Sequence, residues 1–183
     1  MATRYDELSD AMISWIDRQP MFFVGTAPLA GDGHVNVSPK GMAGTLSVID
    51  PTTVAYLDLT GSGIETVAHL AENGRITLMW CAFEGPARIV RVQGTGTAVL
   101  PGDDRWDELV ERFTPSRGAR AIIVVSADRV SDSCGFSVPL MQFEADRTRL
   151  SDWTDNRSDD ELVEYRATKN AVSIDGLPGL TPA

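Results

Sequence analysis

Apolar residues in this chain fall mostly in alternating or short unbroken runs, and only locally at helical spacing. Met21–Thr26 (MFFVGT) reads as a short apolar strand, Gly31-Asp32-Gly33 as a hairpin turn, and His34–Ser38 as the strand that pairs back. Gly44–Val48 and Thr53–Leu59 are two further strands about an Asp50-Pro51 turn. Arg75–Phe83 and Ala87–Val99 are long strands joined by Glu84-Gly85-Pro86, and Ala121–Val130 is a strand rich in Ile and Val. Helical spacing is confined to four places. Leu8, Met12, Trp15 and Ile16 mark a helix over Tyr5–Arg18, stopped by Pro20, and Ile64, Val67, Ala68 and Ala71 mark one over Ile64–Ala71, ended near Asn73-Gly74. Asp103–Phe113 and the charged stretch Asp159–Asn170 are the other two. Ser131–Leu140 and the final SIDGLPGLTPA are too irregular for either pattern.

About seven closely spaced strands with few helices between them predict a mainly β fold with peripheral helices, an antiparallel barrel and not alternating βαβ units. The 183 residues suit one domain: a helix over 1–19, the barrel over 20–145, and a C-terminal helix and tail over 146–183. The first strand is not followed by G-x-G-x-x-G, and GTGT at 94–97 is no substitute, so a Rossmann dinucleotide site has no support in the sequence.

Charge narrows the chemistry. A formal net charge of −10 leaves no general attraction for a nucleic-acid backbone, so any bound anion must be held by a local device. The stretch MATRYDELSD is not a signal peptide, and no run approaches the length of a membrane span. Two cysteines without a CxxC pair make neither a thiolate zinc site nor a disulfide scaffold, and a reducing cytoplasm is the expected location. With only His34 and His69 present, a metal hydrolase and a Cys134 nucleophile both lack partners, and no metal site is expected.

Two stretches stand out. In His34–Gly41 (HVNVSPKG), Ser38 offers a hydroxyl, Lys40 a point charge and Gly41 close backbone approach. A lysine at a strand end is, by itself, usually just solvated. In Thr60–His69 (TGSGIETVAH), Ser62 is a fair N-cap whose capping box Glu65 would complete, and the same helix start offers amides and the hydroxyls of Ser62 and Thr66 to an anion. Arg88 and Arg91 lie at odd spacing on one strand, so they face opposite ways.

The order VNVSPKG, then VAYLDLTGSGIETVAHLAENGRITLMW, then ARIVRVQGTG resembles the pyridoxamine 5′-phosphate oxidase-like family of FMN-binding split barrels, over roughly residues 20–145. The tail motif KNAVSIDGLPGL, with SCGFSVPL before it, is similar to a branch described as oxidase-related. The resemblance implies a six-stranded antiparallel Greek-key split barrel, a homodimer with FMN at the subunit interface, and an FMN-dependent oxidoreductase. It places Asn36, Val37, Ser38, Lys40, Ser62, Thr66, Arg88 and Arg91 at the cofactor and leaves the catalytic residues unassigned. Gly63-Ile64-Glu65-Thr66 replaces the family's basic Arg-Lys pair, Ile89 its Gln, and no C-terminal Arg-x-His motif is present. The expected substrate is therefore another small molecule than pyridoxamine phosphate. The alternatives are a deazaflavin-dependent reductase on the same barrel and a non-catalytic flavin- or haem-binding module. The tail Ser173–Ala183 is expected to cover a partner subunit, because Ile174, Leu177 and Leu180 are apolar.

Overall fold

The computed structural model describes residues 3–180. Met1 and Ala2 of the MATRYDELSD stretch, and the last three positions of the apolar tail, lie outside the described residues. In chain order the elements are β1 (Thr3–Tyr5), α1 (Asp10–Ile16), β2 (Met21–Thr26), β3 (Asn36–Gly41), β4 (Leu46–Asp50), β5 (Thr53–Leu59) and α2 (Glu65–Asn73). Then come β6 (Arg75–Cys81), β7 (Ile89–Val99), α3 (Trp106–Val110), β8 (Ala119–Ser133), α4 (Arg149–Asp155) and α5 (Asp159–Lys169).

The strands form one curled antiparallel half-barrel in the order β3-β2-β6-β7-β8-β5-β4, with β1 paired to β8 off that path. The mainly β class is therefore as expected, but the sheet has eight strands where the resemblance implies six. Thr3–Tyr5 pairs with Val130–Asp132 instead of starting a helix, so α1 begins only at the Ser9 N-cap, whose hydroxyl accepts from Met12 N–H.

Burial follows the two faces of the sheet. One face packs Val24, Tyr56, Leu78, Trp80, Val92 and Ile123 under α1 and α2; the other packs Leu57, Ile122 and Val124 under Leu109 and Phe113. Both faces of β5 and β8 are covered, which is why VAYL and AIIVV are unbroken apolar runs. The GTGT stretch serves close packing. A Cβ at Gly94 would meet Ser126 O at 1.9 Å where the β7–β8 register shifts, and one at Gly96 would press on Leu70 of α2.

Three other expectations shift. The hairpin between β2 and β3 is longer than a tight Gly-Asp-Gly turn, because pairing stops at Thr26↔Asn36 and His34 is drawn to the C-terminal tail. The Asp103–Phe113 helix shortens to Trp106–Val110, because turns at the Pro101-Gly102 end take up its start. The charged helix expected over Asp159–Asn170 is α5, started by a reciprocal capping box of Ser158 and Glu161, and a further helix, α4, precedes it.

Candidate functional site

Asp58 interrupts the apolar strand β5, and its carboxylate is fully buried. Oδ1 accepts from Lys40 Nζ at 2.6 Å, and Oδ2 accepts from Arg120 Nε at 2.8 Å. Burial pushes the Asp58 carboxyl up, but Lys40 and Arg120 together outweigh it and hold it below its ordinary value. One carboxylate between two cations leaves the group with one net positive charge. Arg166 of α5 stands behind it, donating from Nε to Thr60 Oγ1 at 3.0 Å. Burial, then the charge of Arg120, holds its guanidinium below the usual arginine range.

These cations fix the loop that follows β5. The Gly61 carbonyl accepts from Arg120 at 3.2 Å and from Asn170 Nδ2 at 2.9 Å, while Arg120 also donates to Asn170 Oδ1 at 3.0 Å. Thr60 donates to the Gly118 carbonyl from both its amide and its hydroxyl, at 2.7 and 2.8 Å. In a trans peptide the carbonyl and the next N–H point opposite ways. Tethering the Gly61 carbonyl to Arg120 thus turns the Ser62 N–H away from it. Among the described residues, the backbone amides of Gly61 through Val67 have no acceptor within the chain. The result is an open run of donors at the start of α2, backed by a positive group.

Ser62 does not cap this helix. Ile64 holds the N-cap position without a side-chain bond, because the loop is pinned through Gly61. The capping box expected from Ser62 and Glu65 is therefore not formed, and the Glu65 carboxylate instead accepts from Ile174 N–H of the tail at 3.3 Å.

A cleft of about 590 Å³ opens here, lined by His34, Asn36, Val37, Ser62, Gly63 and Glu65 and closed on one side by Val172, Ser173 and Ile174. The tail is a small hairpin clipped by Ser173 N–H to Leu177 O, with Leu180 packed on the core of its own chain and Ile174 exposed. His34 latches it. Its backbone N–H and its ring Nδ1 lie 2.7 and 2.6 Å from the two oxygens of Asp175.

The expected cofactor residues divide into three groups. Asn36, Val37 and Ser62 line the cleft, and Thr66 lies beneath it, accepting from Asn36 Nδ2 at 3.1 Å. Asn36 also donates to Thr26 Oγ1 at 3.2 Å, and its Oδ1 accepts from Ser38 at 3.1 Å, so both of its N–H groups are spent on bracing β3. Thr26 in turn lies 3.0 Å from Nδ1 of His69, which is fully buried and held below its ordinary pKa by burial, against the weaker pull of Asp175, Glu65 and Glu72. Lys40 is the second group: it is committed to Asp58 and lines a different cleft with Pro39. Arg88 and Arg91 form the third, at the far end of β7. Arg88 donates to Asp132 at 3.0 Å and lies over the Trp15 ring, while Arg91 donates to Ser133 at 3.2 Å. Asp132 and Ser133 are successive on β8, so the two arginines do face opposite ways.

The chain is thus a curled antiparallel half-barrel with a run of unpaired amides at its crossover helix. The family model described as pyridoxamine 5′-phosphate oxidase matches residues 8–134, and the chain belongs to that family. It is 43% identical, over 98% of its length and 78% of the relative's, to the pyridoxamine 5′-phosphate oxidase family protein ustO of Aspergillus flavus. Among solved structures it is similar in fold to a HupZ variant of Group A Streptococcus, at 20% identity and a TM-score of 0.51, covering 69% of this chain and 99% of that one. It is also similar to an FMN-binding protein from Syntrophomonas wolfei, at 16% identity and a TM-score of 0.45, covering 65% and 80%.

Proposed function

We infer that this chain binds a flavin nucleotide, FMN, and carries out oxidoreduction of a small molecule other than pyridoxamine phosphate. The observation that supports this reading is the unpaired amide run Gly61–Val67, in which the Arg120 and Asn170 tether on the Gly61 carbonyl turns the Ser62 N–H to the opposite side. A phosphate monoester needs clustered N–H and O–H donors in a positive field, and the Ser62 amide and hydroxyl with the first turn of α2 supply them. The net positive Lys40–Asp58–Arg120 group replaces the direct cation contacts expected of Lys40, so the residues fit the cofactor. Glu65 is an opposing charge in the cleft lining, and Asp175 is a second one beside it, engaged by His34.

A bound flavin would supply hydride or electron transfer. The protein's part is to hold and orient it. The Ser62 loop grips the phosphate, and Asn36 fixes strand β3 through Thr26 and Thr66. Ser38, whose proton is spent on Asn36, would have only its oxygen lone pairs left for the flavin. We place the flavin between two copies of the chain. The outer face of β3 supports this, since Val35 and Val37 are 72% and 65% exposed beside the exposed Val172 and Ile174. Cys81 and Cys134 are free thiols, which supports a cytoplasmic location. No helix among the described residues is long and apolar enough to cross a membrane.

The test is an FMN titration of flavin-free protein, followed by absorbance and by mass in solution. One FMN per chain in a dimer is the expected result. Protein that ignores FMN but takes up a deazaflavin or haem would overturn it.

A further inference from the structure

We propose that the cleft between β3, β5 and α4 binds a small carboxylate with an apolar, ring-sized body. In the FMN-loaded protein this ligand is the substrate, and only that last assignment rests on the flavin reading. The cleft encloses about 730 Å³, within the range of roughly 300–1,000 Å³ usual for small-molecule sites. Its walls are Met21, Met42, Leu57, Leu59, Leu150 and Trp153. Trp153 is held as a fixed wall: the Arg157 guanidinium lies 4.4 Å from its ring centroid, and the Tyr165 ring meets it edge-on at 4.9 Å.

Charge decides the class of ligand. The chain carries 26 acidic and 16 basic residues, yet this cleft is lined by Lys40, Arg147 and Arg149 against the single acid Asp146. Asp146 is engaged by the Ala43 N–H at 3.0 Å. Arg147 and Arg149 are exposed, and among the described residues neither makes an ion pair or a side-chain hydrogen bond. Two unspent guanidinium groups at an apolar mouth are a donor set for a planar anion. At the floor, Lys40 is paired with Asp58 at 2.6 Å, which leaves the two unpaired guanidinium groups, planar donor forks matched to a carboxylate, as the anion's partners. Arg147 through Trp153 lie outside residues 8–134, the part matched by the family model.

The experiment uses the flavin-free full chain and calorimetric titration with 2-naphthoate, the uncharged 2-naphthamide and 2-naphthyl phosphate. Naphthoate is expected to bind about fivefold or more tighter than the amide and at least as tightly as the phosphate. The double variant R147A/R149A should lose that preference with an unchanged melting temperature, and Arg129→Ala, on exposed β8 surface, should keep it. Equal binding of acid and amide, no binding even at dilutions that separate copies of the chain, or an unaffected double variant would each overturn the site. Tighter binding of the phosphate would overturn the carboxylate class. A failed FMN titration leaves these results standing. Binding without turnover in FMN-loaded protein would remove only the substrate assignment.

Discussion

Lys40 and Asp58 stand 18 positions apart in the chain, and their side chains meet at 2.6 Å with the carboxylate fully buried. The pair joins edge strand β3 to β5, which are not neighbours in the sheet. Arg120 completes the group from β8. Asp58→Asn would leave two cations facing a neutral amide. It should cost about 3–5 kcal/mol in urea unfolding, the usual penalty for stranding a buried charge. Because the folded carboxyl is held below its ordinary value, its contribution is complete above the unfolded carboxylate range near 3.9 and is lost as pH falls through the lower folded value. Wild type should therefore lose stability in acid more steeply than Asp58→Asn.

The latch between His34 and Asp175 has the opposite pH sense. The hydrogen bond to Asp175, then its charge, raises the His34 pKa, while the same bond lowers that of Asp175. The ion pair is thus complete below the free imidazole value of about 6.5 and is lost as pH rises through the raised value. An NMR titration of the His34 ring protons should give a midpoint above 6.5, and Asp175→Asn should bring it back. A wild-type midpoint at or below the free value would refute the latch.

For the phosphate loop, Ser62→Ala removes a hydroxyl from the proposed grip and should weaken FMN roughly tenfold, as loss of a hydrogen bond to a charged group does. Glu65→Gln removes an acid from the cleft lining and should tighten FMN by about threefold, the scale of a charge at a helix start. The effect should shrink with added salt. Fluorescence quenching of FMN measures both, and opposite signs for the two variants distinguish an anion site from general damage to the loop.

Gly94→Ala tests packing alone. Its Cβ would lie 1.9 Å from a backbone oxygen of Ser126, with no flexible side chain to yield. A loss of about 2 kcal/mol or more is expected from overpacking. Gly31→Ala, whose Cβ meets nothing within 4 Å, should be close to neutral.

Much of the sheet was legible because alternation and apolar runs report directly on which faces are covered. Met21–Thr26 and Thr53–Leu59 fall where the pattern places them. Strand β1 was not legible, since its three residues owe their form to pairing with β8 and carry no pattern of their own. At the site, the sequence pointed to Ser62 and Thr66 through hydroxyls at a helix start, and to Lys40 through its strand end. It did not show that Lys40 is already committed. The available signal was Asp58, a carboxylate inside VAYLDL, which no apolar strand tolerates without a partner. Arg120, Arg166 and Asn170 come from distant segments, and no local spacing announces their meeting at Thr60 and Gly61.

Strand β8 has a bearing on how the chain comes to be folded at all. Among the described residues it is the one strand through which β7 and β5 are joined, in the registers Ala98↔Ile123 and Tyr56↔Ile123. During synthesis, a chain that has emerged as far as Gly118 can pair β3-β2-β6-β7 as one ribbon and β4-β5 as another. Neither ribbon has the other's core face to cover it, and each leaves an open edge. Closure waits for Ala119–Ser133, and Arg120, the residue that secures Asp58 and the Gly61 loop, arrives with the same strand. The Arg120 tether on the Gly61 loop is thereby made in the same event that unites the sheet, and Asn170 adds its own bond only when the C-terminal segment follows. A nascent or truncated chain lacking β8 would be both unclosed and without the tether that orients the Ser62 amide.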